Sequence, residues 1–543
     1  MPFLITTSVL WRPSVAILLV VAVAVSLRLP AAQRGLFHWD EAQYLFAVQP
    51  GVLKLRDALG IQSWPRLFPE RAPFDREPVP YWAFSTKPGY DLLVMPYGAV
   101  AGLTPDSVGF LSLGFGIGTV AVLYRLVRER FDERAAVVAA AVLAVSSYHA
   151  FYSGSQSSVG MASFFLLLGV WLYVRTFDRP TPGRFALAGA TLAYAYGCHY
   201  NILPYLGLIG ALQLARLKWR PQDGGMRNVL ALGLAFFGVI AAFELFYRIV
   251  IPLAYAHVPD VRGAYMAQLR YTFGFFRWVI PSGVERFPTL LLDSEGWLVL
   301  GMAAIGWALA VRGTLQDWPR VLLLALPAVH VVSAVYAGFS GSAVFSRMIV
   351  TVLPFVALWA GVGLVKLARA AEQRWPDRRV APMAVLAGIA LIAAVGLPRA
   401  WAVAHLHAGY QEAAEYVREH GGGRQVSLGL PVDQYYLGSF QGTYSLPTTV
   451  EALRQLRNAT GVHLLVLDHR VDILEEWGNP LGPSLREFEQ GHRPLAVIPN
   501  PLATTLLIAA ENAMSRTSLA RTLNDPRSGE IRIYDVDAFL NAG

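Results

Sequence analysis

Cysteine is nearly absent from this 543-residue chain: Cys198 stands alone, so no disulfide can close within it and no thiolate cluster can hold a metal. Charge is scarce as well. Only 15% of residues are Asp, Glu, Lys or Arg against 55% hydrophobic, and the mean hydropathy is +0.43, a balance outside that of ordinary soluble domains. The C-terminal stretch after Pro398 carries no nucleotide-binding signature of the GxGxxG or P-loop type, and the chain has no fixed short repeat or low-complexity tract. The net charge of +8 is scattered in short clusters between apolar runs, as topology signals are, which argues against a nucleic-acid partner. What remains is an α-helical polytopic membrane protein.

Apolar stretches near or above the roughly 17 residues needed to cross a bilayer fall at 12–32, 107–127, 135–152, 157–175, 184–199, 201–216, 228–250, 296–311, 320–338, 348–366 and 380–398, about eleven spans in all. The first also fits a short signal peptide. A retained helix is preferred, because Arg28 can snorkel to the interface and lengthen it. Loops after alternate spans carry the arginines, for example Arg125, Arg128, Arg130 and Arg134, or Lys366, Arg369, Arg374, Arg378 and Arg379. The opposite loops at 148–157 and 198–202 have none. By the positive-inside rule the N-terminus is cytoplasmic and the C-terminal part extracytoplasmic, in what reads as a bacterial inner membrane.

Two outer loops are long. Loop 33–106, with Gly89–Leu103 as an interfacial helix, is rich in Pro and aromatic residues such as Trp64, Pro65, Pro80 and Trp82, which suits an ordered lid. Loop 251–294 contains an amphipathic stretch from Tyr265 to Trp278. The domain organisation expected is therefore a transmembrane domain over 1–400 and a soluble α/β domain over 401–543. In the latter, β-like runs occur at 426–428, 462–467, 495–498, 504–509 and 531–534, with a helix at 410–419.

The loop after the first span opens with Phe37-His38-Trp39-Asp40-Glu41-Ala42-Gln43-Tyr44. Acidic groups at membrane depth cost about 2.5 to 3.5 kcal/mol each, so an adjacent pair usually serves chemistry or an ion. His38 and Glu41 are the candidates for a metal ligand, a divalent ion being the cofactor to consider. His199 and Tyr200 occupy a short outer turn and are candidate substrate contacts. Glu244 and Arg248, four apart, suit an intrahelical ion pair.

The acidic pair, then Thr86-Lys87-Pro88-Gly89-Tyr90, and later Phe345-Ser346-Arg347 leading into Val352-Leu353-Pro354, resemble the GT-C integral-membrane glycosyltransferases of the protein mannosyltransferase and lipid A aminoarabinose transferase type. The resemblance covers about residues 10 to 400. It implies that Asp40, the acidic residue of the first loop, is the catalytic residue and that Lys87 and Arg347 hold a lipid phosphate. Two departures stand out. Many relatives carry Lys-Pro-Pro where this chain has Lys87-Pro88-Gly89, which loosens the turn, and many carry an acid where Tyr152 to Ser158 has none.

Such an enzyme moves a sugar from a polyprenyl-phosphate donor to a hydroxyl of a glycan, lipid or protein acceptor, with inversion. One carboxylate suffices, since it accepts the acceptor's hydroxyl proton as the bond forms, while a glycosidase needs a second carboxyl as acid. Asp40 is assigned that role. Glu41 could orient the sugar, bind a cation or raise the pKa of Asp40 by repulsion. Lys87 and Arg347 would stabilise the departing phosphate, although helix-end snorkelling also explains a lysine at that place. The competing reading is a transporter or flippase, disfavoured by few charges within the spans and no inverted repeat. A catalytically inactive scaffold is the third.

Overall fold

The computed structural model describes residues 13–61, 87–219, 225–246, 249, 282–311, 317–339, 345–375, 380–439, 441–513 and 515–542. The aromatic and Pro-rich stretch around Trp64 to Trp82, the stretch Tyr265–Trp278 and Arg248 lie outside the described residues.

Among the described residues fourteen α-helices come first: α1 (Pro13–Ala32), α2 (Trp39–Leu59), α3 (Pro88–Ala101), α4 (Pro105–Arg130), α5 (Glu133–Ala144), α6 (Ser147–Tyr152), α7 (Ser158–Arg175), α8 (Pro182–Cys198), α9 (Leu203–Trp219), α10 (Met226–Leu245), α11 (Ser282–Val311), α12 (Trp318–Phe339), α13 (Leu353–Arg374) and α14 (Val380–His405). Within the described residues, the apolar stretches expected to span are mostly helical, 135–152 being divided between two helices. Seven helices of the described residues are long and apolar enough to cross a membrane, fewer than the eleven read from hydropathy. The chain is a membrane-integral protein.

The shortfall has local causes. The stretch 135–152 is not one rod: it breaks at Val145-Ser146, where Ser146 Oγ donates to Glu295 Oε1 at 2.5 Å and Ser147 Oγ to the Ser294 carbonyl at 3.1 Å. These bonds meet α11 near its own kink at Gly296, φ +74°, a conformation that glycine adopts without a Cβ clash. Arg28 does not snorkel either. It is fully buried and donates to the Leu143 and Ala144 carbonyls at the end of α5, both at 2.9 Å.

These contacts fix the first segment after α1. A Cβ on Gly109 of α4 would lie 2.4 Å from the Ala32 oxygen, and one on Gly154 would lie 2.6 Å from the Ala31 carbonyl carbon, so α1 ends in a slot that only glycines leave open. The chain then turns at Gly35, φ +79°, and enters α2. Helix α3, expected from Gly89–Leu103, is present and packs on α2, α8 and α4.

The C-terminal part is an α/β unit of α15 (Tyr410–Gly421), β1 (Gln425–Ser427), α16 (Leu430–Leu437), β2 (Thr443–Ser445), α17 (Val450–Thr460), β3 (Leu464–Leu467), α18 (Gly482–Gly491), β4 (Ala496–Pro499), α19 (Leu506–Asn512), α20 (Arg516–Asn524), β5 (Glu530–Asp535) and α21 (Val536–Ala542). The sheet order is β2-β1-β3-β5-β4, parallel across β2-β1-β3 and antiparallel at both pairings of β5. Val426 faces Leu465 and Leu465 faces Tyr534 in register, which places an apolar row through the sheet. The run 504–509 is a correction. It is not a strand, because Thr505 caps a helix by accepting from the Ile508 N–H, and α19 follows.

This unit docks on the end of the helices that carries α2. Tyr436 OH accepts from the Leu36 N–H at 2.7 Å, and Arg286 donates to the Ala513 and Ser515 carbonyls at 2.7 and 2.8 Å. Its approach is what brings α19 to the helical part.

Candidate active site

Helix α2 begins with a side-chain cap. His38 adopts extended geometry and its Nδ1 accepts the Asp40 N–H at 3.2 Å, while Asp40 and Glu41 occupy the first turn, where the helix dipole favours negative charge. His38 is buried, and burial lowers its pKa to about 4 against the pull of Asp40. The ring is therefore neutral, with Nδ1 occupied by the cap.

The two neighbouring carboxylates diverge. Asp40, with its side chain 24% exposed, forms an ion pair from Oδ2 to Arg347 Nη1 at 2.5 Å across 307 positions of sequence. Burial opposes ionisation, but Arg347, His38 and Lys87 outweigh it and lower Asp40 to about 2. Glu41 is 1% exposed and its Oε2 accepts the Phe37 N–H at 3.0 Å. Burial lifts its pKa to about 8 despite Arg34, so at neutral pH it is mostly protonated. Both still border one small cavity, with His38, Tyr44, Tyr152 and Arg347.

Arg347 sits on the 3-10 turn Ser346–Ile349 just before α13, and its guanidinium lies over the Phe345 ring at 4.9 Å. Its other edge meets a residue that sequence reasoning missed. Glu511, from α19, accepts the Arg347 N–H at 2.7 Å through Oε1, while its Oε2 lies 3.3 Å from Arg347 Nε. The same Oε1 accepts from Ser346 Oγ at 2.5 Å and Tyr152 OH at 2.8 Å. A carboxylate from the C-terminal unit thus lies against Tyr152, at the edge of the 152–158 segment that itself carries none. No local signal marked it, since the 504–509 run read as a strand ended before it and its partner Tyr152 is 359 positions away.

Lys87 caps α3 and is buried, and its ammonium donates to Tyr44 OH, one turn beyond Asp40. Burial and then Arg347 lower its pKa to about 7. The Tyr200 ring lies 5.9 Å from Nζ, and His199, buried, stacks on Tyr200 with centroids 4.8 Å apart while its Nδ1 accepts the Asn201 N–H at 3.3 Å. These two residues flank Lys87 and are not among those bordering the Asp40 cavity.

Gly89 does not loosen its turn. A Cβ there would lie 2.8 Å from the Cys198 nitrogen and the Gly197 carbonyl carbon, and the Gly89 carbonyl accepts from Tyr194 OH at 2.9 Å. The missing side chain lets α3 seat on α8 and sets the height of Lys87. Among the described residues no group of three or more His, Cys, Asp or Glu is arranged to hold a metal ion. Beside the site an open groove is bordered by Arg34, Leu36, Tyr410, Glu412, Tyr435 and Tyr436, between the helical part and the α/β unit.

Comparison with known proteins fits this architecture. The family model described as dolichyl-phosphate-mannose-protein mannosyltransferase matches residues 90–241, an interval that excludes Asp40, Lys87, Arg347 and Glu511. No curated protein matches by sequence. Among solved structures, the archaeal oligosaccharyltransferase AglB from Archaeoglobus fulgidus, in complex with an inhibitory peptide and a dolichol-phosphate, aligns at TM-score 0.54 and 14% identity, covering 85% of this chain and 70% of that one. Its apo form gives TM-score 0.54 at 13% identity, with the same coverage. ArnT from Cupriavidus metallidurans bound to undecaprenyl phosphate aligns at TM-score 0.47 and 16% identity over 78% of this chain and 75% of that one. The fold is GT-C.

Proposed function

Taking the GT-C fold as premise, we propose that this chain transfers a sugar from a polyprenyl-phosphate donor to a hydroxyl acceptor on the extracytoplasmic face of the membrane. The observation that carries the reading is the direct contact of Asp40 with Arg347, a carboxylate and a guanidinium at one small cavity, with Lys87 one hydroxyl away. The likeness to AglB, captured with a dolichol-phosphate, supports a lipid-phosphate donor.

In this reading Asp40 accepts the proton of the attacking hydroxyl as the new glycosidic bond forms, and the anomeric configuration inverts. Arg347 and Lys87 bind the phosphate and stabilise the charge it gains as the sugar leaves. A guanidinium is well suited to this because its planar fork can engage two phosphate oxygens together. The mixed groove by Tyr410, Tyr435 and Tyr436, open and lined by aromatic and charged groups, offers the acceptor a route to the site.

Glu41, mostly protonated and bonded to the Phe37 N–H, shapes the start of α2 and leaves the base role to Asp40. The division 1–400 for the transferase and 401–543 for the extracytoplasmic unit is part of the proposal. The test is to supply the purified chain with a panel of polyprenyl-phosphate sugars and an acceptor mixture. Sugar-dependent release of free polyprenyl phosphate supports the reading; its absence across a panel that serves other lipid-phosphate transferases contradicts it.

A further inference from the structure

One guanidinium is shared by two carboxylates that come from opposite ends of the chain. Asp40 takes the Nη1 edge of Arg347 at 2.5 Å, and Glu511 takes the Nε edge at 3.3 Å and the backbone N–H at 2.7 Å. The two grips differ in kind. Glu511 is 2% exposed at its side chain and is itself fixed by Tyr152 and Ser346, whereas Asp40 is 24% exposed and makes its contact from one oxygen. A buried carboxylate with three donors on one oxygen is a rigid anchor, while a single contact at a cavity wall is one that an incoming anion can replace.

Held this way, Asp40 is a poor base, because the guanidinium on Oδ2 stabilises its charged form and so weakens its hold on a proton. The arrangement therefore needs a way to free it. We propose that Glu511 is a positioning residue that pins the Nε edge and backbone of Arg347 while the Nη edge exchanges Asp40 for the phosphate of the donor, so that the base is released only when donor is bound. The proposal rests on the reading of Arg347 as a phosphate ligand. It gives the C-terminal unit a specific role, in which Glu511 holds the cation around which the site rearranges. The exchange breaks no covalent bond, and the charge on Arg347 stays compensated throughout, first by two carboxylates and then by Glu511 and phosphate.

The exchange has an unusual signature. If Asp40 and phosphate compete for one edge of Arg347, removing the charge of Asp40 makes phosphate bind more tightly. The experiment uses the full-length chain in lipid nanodiscs, undecaprenyl phosphate as the probe, and the variants Asp40→Asn, Glu511→Gln and Arg347→Gln with the two doubles in the Arg347→Gln background. Asp40→Asn is expected to tighten binding about threefold to tenfold, and Glu511→Gln to weaken it about tenfold. In the Arg347→Gln background both effects disappear.

Unchanged or weaker binding by Asp40→Asn, with Arg347→Gln impaired, overturns the exchange and leaves the phosphate reading standing. A Glu511→Gln loss that persists without Arg347 shows a structural role and overturns the anchor. If Arg347→Gln binds as the parent does, the phosphate reading itself falls. Should Glu511→Gln not fold, Glu511→Asp keeps the charge but shortens the reach, and a loss that depends on Arg347 is again the expected result, while none overturns the anchor.

Discussion

Asp40 and Arg347 lie 307 positions apart and meet at 2.5 Å, joining the first turn of α2 to the 3-10 turn that leads into α13. Because Arg347 also bonds Glu511, three distant parts of the chain converge on one cation. The site is assembled by tertiary packing and is only as well placed as α2, α13 and α19 are.

Glu41 gives a pH prediction with a definite sign. Its folded pKa is raised to about 8 by burial, so its contribution to stability is complete below about 4.3, where the unfolded carboxyl also holds its proton, and is lost as pH climbs through 8. Glu41→Gln should leave stability at pH 5 nearly unchanged and make the chain more stable than the parent at pH 8.5. Thermal unfolding across that range in one detergent measures it; a parent curve no steeper than that of the variant would refute the buried, protonated state.

Lys87 should couple binding to protons. Its pKa, lowered to about 7 by burial and Arg347, leaves roughly half the population neutral at pH 7, and an arriving phosphate favours the charged form. Undecaprenyl phosphate binding is expected to take up protons between pH 7 and 8 and to weaken at higher pH. Calorimetry in buffers of different ionisation enthalpy reads the uptake, and Lys87→Gln should abolish it.

Gly89 is predicted to tolerate no side chain. The added Cβ of Gly89→Ala would meet α8 backbone at 2.8 Å, where the neighbour cannot swing aside, and overpacking of this kind costs about 1 to 3 kcal/mol. A lower unfolding temperature together with weakened donor binding is expected, since Lys87 rides on the same turn. Gly183, whose Cβ would meet open space, is the control position and should accept alanine without either effect.

Much of the fold was legible because membrane helices announce themselves by long apolar runs, and within the described residues the expected spans are mostly helical. Breaks were harder to see. The interruption at Ser146 depends on hydrogen bonds to Ser294 and Glu295, far away in sequence, and the burial of Arg28 on the last carbonyls of α5 is likewise a tertiary event. Short apolar runs are ambiguous between strand and helix, and at 504–509 the capping hydroxyl of Thr505 decided for helix.

The candidate site was legible in the same uneven way. Asp40, Lys87 and Arg347 stand out locally, as rare charges beside apolar spans. The different environments of Asp40 and Glu41 do not, because adjacent residues on a helix point about 100° apart and only the packing decides which meets a cation. Glu511 is one acid among many in a soluble unit and acquires meaning only beside Tyr152, Ser346 and Arg347.

The central claim is that Asp40 is the base of a sugar transfer from a polyprenyl phosphate, and it is tested most directly by single-turnover transfer with the parent chain and Asp40→Asn side by side. At saturating donor the account predicts that the variant still folds and still binds undecaprenyl phosphate while its transfer rate drops by about 10² to 10⁴. A variant that transfers sugar at the parental rate would contradict the account.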